Sequence, residues 1–282
     1  MRYRPITLPG AVTVITGGAQ GIGRETARAF AARGAVVCIG DLDQEKAERT
    51  AAELGDRVRA FGVDVTDRAS YAAFLDAVTE QAGPVDILVN NAGVMPLGPF
   101  LEEPDAVSAT TMKVNVDGLI HGMRLVLPGM VARRHGHVAN VASLAGKIPI
   151  AGMAVYNASK YAAVGLTASV REEMRPHGVS VSAILPSAVR TRLTEGIRLG
   201  HGLPTVDPDR IADAVVRSCR TRRAEYAVPG WLGLAQPLLG ITPEPAVQAV
   251  KRLIGGDRAY RASFGTRGEH DRHLIEQARR HA

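Results

Sequence analysis

Val12-Thr13-Val14-Ile15-Thr16-Gly17-Gly18-Ala19-Gln20-Gly21-Ile22-Gly23 is the stretch that decides the fold. Its first five residues are an uninterrupted β-branched run, the composition of a strand buried on both faces. Glycines follow in the spacing Gly-x3-Gly-x-Gly, and from Gly21 the pattern turns helical through Arg33. Gly17, Gly21 and Gly23 keep side chains away from a tight turn, a close pyrophosphate and a helix–strand contact. The helix start then aims free amides and the positive end of its dipole at phosphate oxygens. Gly17–Gly23, with Gln20 and Ile22 between the glycines, is thus the predicted phosphate cradle of a dinucleotide. A glycine turn can also serve packing alone, and it is the position between the first strand and the first helix that favours the cradle.

Moving outward, the same alternation repeats. Strands are predicted at Val12–Thr16, Val36–Gly40, Val58–Val63, Val85–Asn90, His137–Ala142, Val179–Leu185 and Glu225–Val228. Helices are predicted at Gly21–Arg33, Asp43–Leu54, Asp67–Gln81, through the region ending at Arg134, and at Val155–Arg175 and Asp207–Thr221. Continuous apolar strands separated by helices imply an α/β, doubly wound, mostly parallel sheet of about seven strands with helices on both faces. No repeat or linker divides the chain. It reads as one domain over residues 1–282, with a C-terminal extension at about 230–282. The second strand runs into Asp41, eighteen residues beyond Gly23. A carboxylate there accepts hydrogen bonds from an adenosine ribose and repels a 2′-phosphate, so NAD is favoured over NADP. Asp41 as a mere loop cap is the alternative, and Asp43 reads as the N-cap of the next helix.

Composition narrows the remaining classes. The chain has 282 residues, 46% of them hydrophobic, with a formal net charge of +6. The densest basic run is Arg220-Thr221-Arg222-Arg223, and aromatics make up only 4%, so a nucleic-acid surface is not indicated. Cys38 and Cys219 lack metal-ligand spacing and read as small buried residues of a reducing compartment; no metal site is predicted. The first residues carry no apolar signal-peptide core, and no run reaches about 18 apolar residues, so a cytoplasmic protein is expected.

Chemistry is suggested by Ser143, Tyr156 and Lys160. Tyr156 and Lys160 stand at i and i+4 of a predicted helix and so share a face. A cation near a phenol favours the phenolate, lowering its pKa toward the working range of a general acid/base. Ser143, at the end of a predicted strand, reaches the same substrate oxygen in this reading. Taken alone the pattern also fits a half-buried tyrosine beside a solvated lysine. His121, His135 and His137 lack carboxylates at ligand spacing and are expected to face solvent or neighbouring helices, and Tyr161 is expected to pack.

Together these motifs resemble the short-chain dehydrogenase/reductase family over about residues 8–230. The turn matches T-G-x3-G-x-G at Thr16–Gly23, and Asn90-Asn91-Ala92-Gly93 matches N-N-A-G. The resemblance implies that Asp64 and Val65 hold adenine, and that Asn91, Ala92 and Gly93 lie against the cofactor. It implies that Lys160 also bonds the nicotinamide ribose, and that Asn115 holds a water linking Lys160 to solvent. Read without it, Asn115 is a helix asparagine satisfying local backbone. In Pro186-Ser187-Ala188-Val189-Arg190-Thr191 the family's P-G-x-V-x-T is matched at Val189 and Thr191, which by resemblance contact the carboxamide. Ser187 stands where the family has glycine, which puts the local backbone shape in question.

The resemblance implies an NAD-dependent oxidoreductase acting on a secondary alcohol or ketone. Alternatives are an NADP-linked reductase and a cofactor-binding regulatory or scaffold protein. An apolar substrate is expected from Leu193, Ile197, Leu199 and Leu203 after Thr191, and from Met95, Pro96, Leu144, Met153 and Ala154. A homodimer or homotetramer is expected, with Ala162, Val164 and Ala168 on the outer face of the Val155–Arg175 helix. The extension reads as a lid or packing segment, with a membrane-surface contact as its alternative.

Overall fold

The computed structural model describes residue 3 and residues 5–191 and 204–233. Leu193, Ile197, Leu199 and Leu203 of the loop after Thr191, and the extension beyond 233, lie outside the described residues. The elements run in chain order as β1 (Val12–Thr16), α1 (Gly21–Ala31), β2 (Val36–Asp41), α2 (Gln44–Leu54), β3 (Val58–Gly62), α3 (Arg68–Ala82) and β4 (Ile87–Asn90). There follow α4 (Asp105–Met112), α5 (Gly118–Arg133), β5 (His137–Val141), α6 (Ala154–Met174), β6 (Ser180–Pro186), β7 (Ala188–Val189), β8 (Thr205–Val206), α7 (Pro208–Thr221) and β9 (Glu225–Val228).

Seven strands form one sheet in the order β3-β2-β1-β4-β5-β6-β9, every neighbouring pair parallel. The chain winds outward from β1 to β3 and then returns to place β4 on the other side of β1. That reversal opens a crevice above the carboxyl ends of β1 and β4, where ligands bind in doubly wound sheets. Residues of β1 alternate between two cores. Val12 and Val14 pack with Tyr71, Phe74, Met123 and Ala163 of α3, α5 and α6. Ile15 packs with Ala27, Phe30, Ala47 and Ile211 of α1, α2 and α7. A strand buried on both sides has no solvent face to be polar, which is why the β-branched run, Thr13 and Thr16 included, carried no alternation.

Three features depart from the expected elements. Residues Lys113–Asp117, between α4 and α5, form a π-helical turn with Asn115 buried in it. A short 3-10 turn, Leu144–Gly146, follows β5. β7 and β8 make a small second sheet, Ala188 opposite Thr205 and Val189 opposite Val206. Four side-chain placements are also informative. Val164 packs in the core under α6 rather than on its outer face. Leu144, expected to face a pocket, packs in the core as well, and Ala154 is exposed at the start of α6. Tyr161, expected to pack, is 44% exposed.

His137 is fully buried in β5, its Nδ1 2.7 Å from Ser180 Oγ and its Nε2 2.8 Å from Ser218 Oγ on α7. Burial, with the Arg222 guanidinium nearby, holds its pKa well below the usual histidine range. Both cysteines are free and buried, and burial pushes Cys38 up to about 11 and Cys219 up to about 12, which keeps the thiols protonated and unreactive. Among the described residues, no helix is long and apolar enough to cross a membrane.

Candidate active site

The turn after β1 is tied to the end of β4 before any ligand is considered. The amides of Asn91 and Ala92 both donate to Thr16 Oγ1, each at 3.1 Å. Asn91 Nδ2 donates to the carbonyls of Thr16 and Gly17, each at 2.9 Å. The tight fit explains two glycines. Gly17 has φ +64°, and a Cβ there would stand 2.9 Å from Ala92 Cα. A Cβ on Gly23 would overlap the Gly17 carbonyl. Gly18, not singled out from sequence, is equally constrained by Ile39 of β2. The first turn of α1 contains no acidic residue, so its free amides are unopposed. A cradle that a side chain would fill, capped by a helix start, fits the pyrophosphate of a dinucleotide. Thr191 closes over it from the β6 side, its Cγ2 3.4 Å from where a Gly21 Cβ would sit.

Asp41 ends β2 beside this turn. Its Oδ2 accepts from the Ala19 amide at 3.0 Å and its Oδ1 from the Asp43 amide at 3.2 Å. Burial raises its pKa more than these bonds lower it. Asp43 caps α2 by accepting from the Lys46 amide at 3.0 Å. The Lys46 ammonium bonds Gln20 Oε1, so one cation stands between the cradle and Asp41. Asp64 turns its Oδ1 onto Thr66, accepting from its amide at 2.8 Å and its hydroxyl at 2.7 Å. Val65 is buried and packs into the core beneath Gly118.

Ser143, Tyr156, Lys160 and Asn115 converge beyond the carboxyl end of β5. Ser143 caps the 3-10 turn, its Oγ accepting from the Ala145 amide at 3.0 Å, and its hydroxyl stands near enough to the Tyr156 phenol to lower that group's pKa. Lys160 lies one turn further along α6 with Nζ 5.7 Å from the Tyr156 ring centre, donating to the Val141 carbonyl at 3.1 Å. Gly93 lies between the partners, with a hypothetical Cβ 3.2 Å from Asn115 Oδ1 and 3.6 Å from Lys160 Nζ. Asn115 holds the loop after β4. Its Oδ1 accepts from the Val94 amide at 2.9 Å, and its Nδ2 donates to the Val94 carbonyl at 2.9 Å and Ser159 Oγ at 3.0 Å. The asparagine thus satisfies the backbone of a loop remote in sequence rather than that of its own helix.

The expected direction of the tyrosine shift needs correction. Burial pushes Tyr156 up to about 12, opposed by the nearby Ser143 hydroxyl. Burial also brings Lys160 down to about 8. Desolvation is the larger influence on the phenol, which keeps its proton at neutral pH.

Asn157 was missed by sequence reasoning. From α6 its Nδ2 donates to the carbonyls of Ala145 at 2.7 Å and Ile148 at 2.9 Å, and its Oδ1 accepts from the Ile150 amide at 3.3 Å. It staples the loop that carries Ser143 to the helix that carries Tyr156. The signal available was its position, directly after Tyr156.

A glycine cradle at the switch point of a doubly wound parallel sheet, with half-buried Ser143 and buried Tyr156 and Lys160 grouped at the end of β5, defines a nucleotide-binding α/β protein of the oxidoreductase class. The short chain dehydrogenase family model matches residues 11–201, and the chain belongs to that family. Estradiol 17-beta-dehydrogenase 11 of Rattus norvegicus is 32% identical over 254 residues, 88% of this chain and 85% of the relative. Sorbitol dehydrogenase of Cereibacter sphaeroides is 36% identical over 235 residues, 82% of this chain and 92% of the relative. The crystal structure of 3-ketoacyl-(acyl-carrier-protein) reductase from Brucella melitensis complexed with NADH is similar with a TM-score of 0.73 and 31% identity. It covers 78% of this chain and 97% of that one.

Proposed function

We propose that this short-chain dehydrogenase transfers hydride between NAD and a secondary alcohol or ketone, with Tyr156 as the general acid/base. The observation that carries the reading is the grouping of Ser143, Tyr156 and Lys160 beyond the end of β5, with Lys160 Nζ 5.7 Å from the Tyr156 ring centre and bonded to the Val141 carbonyl. A bound nicotinamide would supply the hydride chemistry. The chain's own groups supply the rest. The Tyr156 phenol gives a proton to the substrate oxygen in reduction and takes it in oxidation. The Ser143 hydroxyl bonds the same oxygen as charge develops there. Lys160 favours the phenolate electrostatically when the proton leaves.

Met95, Ala145 and Met153 pack around Tyr156 in one apolar cluster, with Leu97 and Ile150 against it. That lining supports an apolar substrate over a polyol or sugar phosphate. Asp41 supports NAD, because a 2′-phosphate would meet its carboxylate. Lys46 favours the second reading, NADP, since its ammonium stands beside Gln20 at the same end of the cradle.

Turnover of diverse secondary alcohols with NAD and with NADP tests both readings. NAD is expected to be preferred, and a preference for NADP would refute the Asp41 argument. Tyr156→Phe is expected to lower kcat by at least about 10³-fold, within the range of general acid/base contributions, with NAD affinity nearly unchanged. Activity that survives this substitution would remove Tyr156 from the chemistry.

Assembly between copies belongs to the same reading. The outer side of α6 exposes Ala158, Tyr161, Gly165 and Ala168, and a Cβ on Gly165 would meet nothing within 4 Å. Small residues in a row permit close helix packing, which supports a homodimer or homotetramer built across this face.

A further inference from the structure

Ser187 stands where the family resemblance has glycine, and the structure gives its side chain a task. The residue does not adopt a positive φ, so glycine is not needed there for backbone reasons. Its amide donates to the Val228 carbonyl of β9 at 2.9 Å. Its hydroxyl donates to the Pro204 carbonyl at 2.7 Å. Pro204 immediately precedes β8, so this bond joins the start of β7 to the start of its partner strand. The pair is short, two residues against two, and parallel, a pairing with little intrinsic stability. Beyond the ladder, the Arg190 amide donates to the Val206 carbonyl at 3.0 Å. The Arg190–Asp207 ion pair at 2.6 Å has side chains 61% and 59% exposed, and pairs so open to solvent hold little. The Ser187 hydroxyl is thus a side-chain anchor of this small sheet.

What β7 carries makes the anchor matter. Val189 is buried, and two residues on Thr191 lies over Gly21 of the cradle. In the sheet, β6 and the segment leaving it lie on the far side of β1 from β2 and Asp41. Asp41 marks the adenosine end of a dinucleotide in this cradle. The segment 187–191 therefore borders the opposite, nicotinamide half.

We propose that Ser187 is a positioning residue that tightens the grip on the nicotinamide half of the cofactor by pinning β7 to β8, an inference that rests on the dinucleotide reading above. Loss of one neutral hydrogen bond of this kind corresponds to about a five-fold change in an equilibrium constant.

The test is binding of NAD and of 5′-AMP, which fills only the adenosine end, to the full chain and to Ser187→Ala, Ser187→Gly and Ser187→Thr. NAD affinity is expected to fall about five-fold in the alanine and glycine variants, with 5′-AMP affinity within about two-fold of wild type. The threonine variant keeps the hydroxyl and is expected to restore NAD affinity to within about two-fold. Unchanged NAD binding, or equal weakening of both ligands, would overturn the role of Ser187 alone. Wild-type protein that binds neither ligand would overturn the cofactor reading, and this inference with it.

Discussion

At the residue scale the decisive groups are ones whose environment reverses a first expectation. Tyr156 and Lys160 were placed together by their spacing, and α6 does put them on one buried face. Spacing carries no information about desolvation, which comes from residues far away in sequence, so the direction of the tyrosine shift was not legible. The consequence can be measured on Lys160. The unfolded chain holds this proton up to the ordinary lysine value of 10.5, whereas the folded chain releases it at about 8. Between these values the unfolded state binds more protons, so the Lys160 contribution to stability rises with pH and is flat below about 8. Lys160→Met keeps the length of the side chain without the charge. Denaturant unfolding at pH 8 and pH 10 is expected to show wild type gaining about 2 kcal/mol relative to the variant across that interval. Parallel pH profiles for the two proteins would mean that the ammonium is not desolvated as the structure has it.

At the element scale, the strands and long helices were readable because each is a run of like residues with a definite period. The turns that shape the site were not, because each depends on partners remote in sequence. The π-helical turn at Lys113–Asp117 exists where Asn115 meets Val94 and Ser159, residues 21 and 44 positions away. Asn157 shows the same thing over a shorter range, since three backbone groups of one loop are satisfied by a single amide. Asn115→Ala removes partners from both polar groups of Val94 at a buried position. Unsatisfied buried groups cost about 1–3 kcal/mol each, so a loss of about 2–3 kcal/mol is expected in thermal or denaturant unfolding. Asn115→Asp retains the acceptor for the Val94 amide but not the donors, and should also destabilise. If both variants unfold like wild type, the asparagine is not holding the loop.

At the scale of the whole molecule, the parallel sheet and its opening glycine turn follow from simple rules, continuous apolar strands alternating with helices and glycines after the first strand, whereas the strand order comes from the structure. Which helix surfaces face another copy does not follow from those rules, and the period alone misassigned Val164, which lies in the core under α6. The structure replaces it with Gly165, whose missing side chain would point into open space. This makes Gly165→Trp a sharp probe of assembly. Replacing glycine on an exposed helix position favours the helix by propensity, so the fold of one copy is not penalised. A bulky ring in the middle of a close helix–helix contact between copies would be penalised, because packed interfaces tolerate added volume poorly. Sedimentation velocity is expected to give a dimer or tetramer for wild type and a smaller species for Gly165→Trp, with the far-ultraviolet circular dichroism spectrum unchanged. A wild-type monomer, or a variant that assembles as wild type does, would move the contact away from this face of α6.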